Sequence, residues 1–313
     1  EKFDSVFSGA DDTDDNRQDL ETLAAALKPL STWHALNTLQ EAREACGGQG
    51  FLAENRLTAL RADMDIYVTF EGDNNVLLQL VAKRLLTDYS RKFKDADTGT
   101  LARLMMEQVT ERAVTGSGLR RLGQNVHDRG STARAVNELR DPEVQRDLLT
   151  DRVETIIAEI ALDLRDAKKS GTEAEVFNQK QSQLIEAASA HGHLLQWEAF
   201  TDALSRIEDE GTKQVLTWVR DLFGLHTIEK NLSWYLIKGR LSAQRAEAVT
   251  AYVDRLITRL RTHAQDLVDS FGYGPEHLRA EIATGIEGIR QEEARHHYEK
   301  LAASGTAPVP EKH

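Results

Sequence analysis

The chain has 313 residues, 40% hydrophobic and 29% charged, enough for about two domains and a sizeable core. A net charge of -12 argues against a nucleic-acid or anionic-membrane surface, and the single cysteine, Cys46, excludes an intramolecular disulfide framework and is read as a small buried side chain. No stretch approaches the roughly 20 apolar residues of a membrane span, and only five prolines interrupt the sequence, so long helices are expected to dominate.

The chain begins at Glu1 and passes through an acidic run, Asp11, Asp12, Asp14 and Asp15, so 1–15 reads as a flexible start and the whole as a fragment or processed piece. From Asn16 to Cys46 the apolar residues Leu20, Leu23, Leu27, Trp33, Leu36 and Leu39 recur at helical spacing, with Pro29 a possible kink and Gly47-Gly48 the stop. A helical turn is expected around Arg56 to Ala62. The β-branched and aromatic run Asp65 to Phe70 then favours an extended backbone. Gly72-Asp73-Asn74 supplies N-cap chemistry for a helix from Val76 to Phe93, with Val76, Leu77, Leu80, Val81 and Leu85 as its apolar stripe.

The polar patch Lys94 to Gly99 marks a domain boundary, which divides the chain into a 16–94 segment and a 99–303 helical domain, with a disordered tail over 304–313. The second part reads as Leu101 to Val114, a stretch punctuated by Gly116, Gly118 and Gly123, and a helix opened by Asp141-Pro142-Glu143. Further helices are expected over Ala174 to Leu204, Thr212 to Leu236, Ser242 to Ser270 (with Ile257 and Leu267 facing inward) and Pro275 to Leu301. The expected fold is all-α, two consecutive helical bundles.

Two clusters carry chemistry: Cys46-Gly47-Gly48-Gln49-Gly50-Phe51 and Thr69-Phe70-Glu71-Gly72-Asp73-Asn74-Asn75-Val76-Leu77-Leu78-Gln79. The glycines let the backbone approach a neighbour or a phosphate-bearing ligand closely, or simply end a helix. Glu71, at the mouth of a helix, is either a base or an acid that complements the helix dipole.

Together, the two clusters resemble the C-terminal domain of the acyl-CoA oxidases, in the acyl-CoA dehydrogenase superfamily. Trp218-Val219-Arg220-Asp221-Leu222-Phe223-Gly224-Leu225, Ile228-Glu229, Gly239-Arg240-Leu241-Ser242 and Ala264 to Gly272 extend the likeness, which runs from about Asp19 to Ile289. The resemblance implies FAD-dependent α,β-desaturation of a fatty acyl-CoA to the trans-2-enoyl-CoA, with Glu71 as the base. It also implies Glu44, Gly47, Gly48, Asp73 and Asn75 as FAD contacts and Phe70 and Gly72 beside the substrate. The N-terminal helical domain and middle β-domain of that family have no counterpart here. The implied partner is therefore the N-terminal half of the same enzyme or a separate subunit, in a homo- or hetero-oligomer, without which the chain is expected to be inactive. A noncatalytic interaction subunit and an unrelated helical bundle are the rival readings.

Common dehydrogenases carry Gln in place of Glu44 and Thr in place of Asp73, and Cys46 with Gly72-Asp73-Asn74 makes the resemblance lean to the oxidase branch. Glu293-Ala294-Arg295-His296 has di-iron spacing but no second copy, and reads as a solvated helix end. His191 and His193 around Gly192 read as ordinary polar positions rather than metal ligands, and Trp197, Phe200, Trp218 and Trp234 as core. The ending Glu311-Lys312-His313 is not a peroxisomal Ser-Lys-Leu signal, which gives a cytoplasmic, bacterial expectation.

Overall fold

The computed structural model describes residues 2–9, 12–94, 132–274 and 276–305. Every regular element among them is helical. In chain order these are α1 (Lys2–Phe7), α2 (Asp14–Ala45), α3 (Leu57–Ile66), α4 (Asn74–Lys94), α5 (Thr132–Leu139), α6 (Pro142–Ser170) and α7 (Glu173–Gln179). They continue as α8 (Gln181–Leu204), α9 (Glu210–Glu229), α10 (Leu232–Ile237), α11 (Ala243–Leu260), α12 (Ala264–Asp269) and α13 (Ile286–Ala303). The helix expected from Leu101, the glycines 116, 118 and 123 and the cut at 94–99 fall on or against residues outside the described set, as does most of the expected tail.

Two compact units emerge. The first comprises Glu1–Ser31 and Gly72–Gln265, and the second Thr32–Glu71 and Asp266–His313. The first is organised by α6, which forms where its local chemistry says it should. The Asp141 carboxylate accepts the Glu143 N–H at 3.0 Å with Pro142 in the first turn, and Gly171 at φ 74° closes the far end. Val153, Ile156, Ile157 and Ile160 repeat at helical spacing and are buried. α8 and α9 pack against α6, and Val153 joins one core cluster with Trp197 of α8, Leu225 and Ile228 of α9, and Val249, Val253 and Leu256 of α11. Each such aliphatic side chain taken from water contributes about 1.5–3 kcal/mol. Trp197 is buried, while Trp218 and Trp234 pack half-buried on the same cluster.

Several elements depart from expectation. Residues 65–70 are not extended: α3 runs to Ile66, and the Phe70 and Thr69 N–H groups return to the Ile66 carbonyl at 2.9 and 3.2 Å. A strand needs a pairing partner, and a turn satisfies these amides locally. The buried face of α4 is Leu78, Val81 and Ala82, whereas Val76 and Leu80 are exposed. Pro29 sits buried inside an uninterrupted α2, and the acidic start holds the short helix α1. The helices expected over 174–204, 212–236 and 242–270 are each divided, at Lys180, at Lys230-Asn231 and at the tight turn Arg261–His263. Ile257 is exposed, and the last helix begins at Ile286 rather than near residue 275.

Gly192 explains its own surroundings. A Cβ there would lie 2.5 Å from Leu30 Cδ1 and 3.6 Å from the Ala26 side chain, so glycine lets α2 close onto α8. Beside it, His193 has its Nδ1 buried without a hydrogen-bond partner among the described residues. Burial, helped by the nearby cations Arg152 and Lys230, lowers its pKa to about 4 from 6.5. Above pH 6.5 the imidazole is neutral in both folded and unfolded chains. As pH falls from 6.5 towards 4 the unfolded chain takes up a proton that the fold refuses, so stability drops by roughly 3 kcal/mol across that window. Thermal melts should therefore show His193→Leu losing much less stability than the parent between these limits; parallel pH profiles would refute it.

Candidate active site

Within the second unit, α2 ends at Ala45 and the chain enters a tight turn over Gly47–Phe51, then another over Ala53–Asn55 before α3. The three glycines of this segment do different things. Gly50 is buried against α2, and a Cβ there would lie 2.1 Å from the Arg43 carbonyl oxygen, so packing alone demands glycine. Gly47 has φ 55°, the left-handed region. Gly48 has neither constraint, and both Gly47 and Gly48 have nothing within 4 Å of an added Cβ. Their backbone faces open space.

Asn55, which sequence reading passed over, holds this loop. Its Nδ2 donates to the Gln49 carbonyl at 2.9 Å and to Gln49 Oε1 at 3.0 Å, while its Oδ1 accepts the Ile282 N–H at 3.0 Å. The Arg43 guanidinium covers the Phe51 ring at 4.9 Å. Glu44 is exposed in the last turn of α2, where it takes a hydrogen bond from Gln40 and lies 3.7 Å from Arg43.

Glu71 closes the Thr32–Glu71 segment of the second unit, and Gly72 opens the Gly72–Gln265 segment of the first. Both have positive φ, 54° and 107°. Only glycine adopts the second value comfortably, and a non-glycine residue in the left-handed region costs about 1–3 kcal/mol. Arg56, at φ 61°, is the other such residue described. The Glu71 side chain is exposed and has no hydrogen bond or ion pair among the described residues. Phe70 before it is exposed and meets Tyr67 edge-on at 6.1 Å.

Asp73 then caps α4. Its Oδ1 accepts the N–H groups of Asn75 at 2.9 Å and Val76 at 3.3 Å, and its carbonyl takes the Leu77 N–H at 2.9 Å. The Asn75 side chain is exposed, with no partner among the described residues. On the first unit α2 and α4 are bridged twice. Arg84 pairs with Asp15 at 2.9 Å and Asp19 at 3.1 Å, and Lys28 reaches Gly72 and Asn74. Lys28 was likewise missed, its only sequence signal being a charge among Leu27, Pro29 and Leu30.

His191 and His193 join no cluster of three His, Cys, Asp or Glu side chains among the described residues, and the Glu293 to His296 segment is exposed along α13. Cys46 is half-buried.

The family model for the acyl-CoA oxidase C-alpha1 domain matches residues 2–86, and that for acyl-CoA oxidase matches residues 141–284. Acyl-coenzyme A oxidase 2, peroxisomal, of Arabidopsis thaliana is 34% identical over 87% of this chain and 38% of its own length. The solved structure of Arabidopsis thaliana acyl-CoA oxidase 1 matches 93% of this chain and 42% of its own, with a TM-score of 0.74 at 23% identity. That of Caenorhabditis elegans acyl-CoA oxidase-1, described as complexed with FAD and ATP, matches 100% of this chain and 44% of its own at TM-score 0.69 and 18% identity. The helical fold of this chain is thus shared with the C-terminal helical part of solved acyl-CoA oxidases. The chain belongs to the acyl-CoA oxidase family and corresponds to its C-terminal helical part.

It spans about two-fifths of the length of the relatives it matches. The cytoplasmic expectation is corrected, because the Arabidopsis relative is named peroxisomal. Three final residues are too short a basis for a location.

Proposed function

We propose that this chain is the catalytic C-terminal part of an FAD-dependent acyl-CoA oxidase that converts a fatty acyl-CoA to the trans-2-enoyl-CoA, together with the N-terminal domains of the enzyme. The observation that carries the reading is Glu71: a carboxylate held at φ 54° with no partner among the described residues, between a turn closed on Ile66 and a helix capped by Asp73. Strain retained at an uncommitted ionisable residue is a feature of working sites.

The Glu71 carboxylate takes the α-proton of the thioester, and its main-chain N–H donates to the thioester oxygen as charge develops there. Phe70 and Gly72 flank the acyl group. Gly47 and Gly48 fit a cofactor, since their backbone is open where a side chain would otherwise stand, and the uncommitted Asn75 amide fits it too. Asp73 and Glu44 already serve Asn75, Val76, Gln40 and Arg43, so they would meet FAD with their remaining capacity. Bound there, FAD would supply the acceptor for the β-hydride and the route by which the electron pair reaches oxygen. A peroxisomal setting accompanies this reading, by analogy with the named relative.

The test is reconstitution. The chain alone should form no enoyl-CoA from acyl-CoA, and the chain with its N-terminal domains and FAD should form it with hydrogen peroxide in equal amount. Equal activity with and without this chain would overturn the proposal.

A further inference from the structure

We infer that Lys28 is a positioning residue for the turn that presents Glu71, an assignment that rests on the acyl-CoA oxidase reading above. Lys28 projects from α2, and its Nζ donates to the Gly72 carbonyl at 2.7 Å and to Asn74 Oδ1 at 2.8 Å. These acceptors lie on either side of Asp73, the cap of α4. One ammonium therefore fixes both the peptide that leaves Gly72 and the first residue of the helix.

The placement is not what helix stability alone would select. A cation beside a helix N-terminus meets the positive end of the helix dipole, where an anion is favoured. What Lys28 gains is its pair of charge-assisted hydrogen bonds to the backbone and side chain of the turn. Glu71 and Gly72 both carry positive φ, so the direction of the Glu71 N–H and carboxylate depends on how each side of the pair is held. On the N-terminal side the Phe70 and Thr69 amides are tied to the Ile66 carbonyl, and on the C-terminal side the Gly72 carbonyl is tied to Lys28. Methionine at position 28 would keep the bulk of the stem and release that carbonyl. Arginine would keep the charge and the capacity to reach two acceptors.

Lys28→Met, Lys28→Arg and Glu71→Gln should be compared in the complete enzyme, by stopped-flow flavin reduction at saturating acyl-CoA, by acyl-CoA affinity and by amide hydrogen exchange. Lys28→Met should slow flavin reduction about 10- to 100-fold with acyl-CoA affinity changed less than about threefold, the signature of misplaced geometry rather than lost binding. Exchange at residues 71–77 should accelerate about tenfold or more while the rest of the chain is unchanged. Lys28→Arg should recover most of both effects. Unaltered exchange at 71–77 overturns the inference, as does acceleration spread over the whole chain, which marks general destabilisation. Normal flavin reduction by Lys28→Met in an enzyme that Glu71→Gln silences overturns the Lys28 role alone. A fully active Glu71→Gln overturns the base assignment and this role with it.

Discussion

Glu71→Gln in the complete enzyme should lower acyl-CoA-dependent flavin reduction by roughly 10² to 10⁴-fold while acyl-CoA still binds, the range that loss of a general base costs. The amide has the shape of the carboxylate and keeps the main-chain N–H, but it cannot take a proton. Because the side chain has no hydrogen bond or ion pair among the described residues, the substitution breaks none of the interactions described, and stability should be unchanged. Glu71→Gly sharpens the test from the other side. It relieves a left-handed backbone that costs about 1–2 kcal/mol in an L-residue, so this variant should be equally inactive and no less stable. Activity and stability moving apart in this way is what a residue kept for chemistry predicts. Near-normal turnover by Glu71→Gln would return the chain to the rival reading, a noncatalytic interaction subunit.

Which features were legible in the sequence follows from how local their causes are. The Asp141-Pro142-Glu143 opening of α6 is set by residues adjacent in sequence, and the helix begins where that chemistry places it. The breaks at Lys180 and Lys230-Asn231 carry no glycine or proline, so nothing short-range announced them. The Asp65 to Phe70 run had strand composition without a strand to pair with, and its amides closed onto Ile66 instead. The site divides in the same way. Glu71 and the glycine loop stand out as short motifs, but the residues that hold them come from far away: Lys28 is 44 positions from Gly72, and Ile282 is 227 from Asn55. Pairings of that kind are specified by the fold, not by any window of sequence.

The run Trp218 to Leu225, which the sequence offers only as a family likeness, has a structural cause, and it sets the second large effect. Arg220 and Asp221 are 5% and 3% exposed. Arg220 Nε and Nη2 each reach Asp221 Oδ1 at 2.9 Å, and Gln145 Nε2 adds a third contact at 3.2 Å. Gln145 Oε1 in turn accepts the Trp197 indole N–H at 3.1 Å, and the guanidinium lies 5.2 Å from the Trp197 ring. Gly224 completes the arrangement, since a Cβ there would come within 2.7 Å of that indole nitrogen.

Burial raises the Asp221 pKa, and Arg220 is the largest influence pulling it back. Arg220→Ala should therefore strand a carboxylate in the core and cost about 3–5 kcal/mol, a fall in Tm of roughly 6–20 °C for a unit of this size. The double variant Arg220→Met, Asp221→Leu removes both charges together, and it should cost clearly less than Arg220→Ala alone, because desolvation of an unpaired charge is then no longer imposed. Equal losses from the two would mean that packing against Trp197, not charge pairing, is what Arg220 supplies.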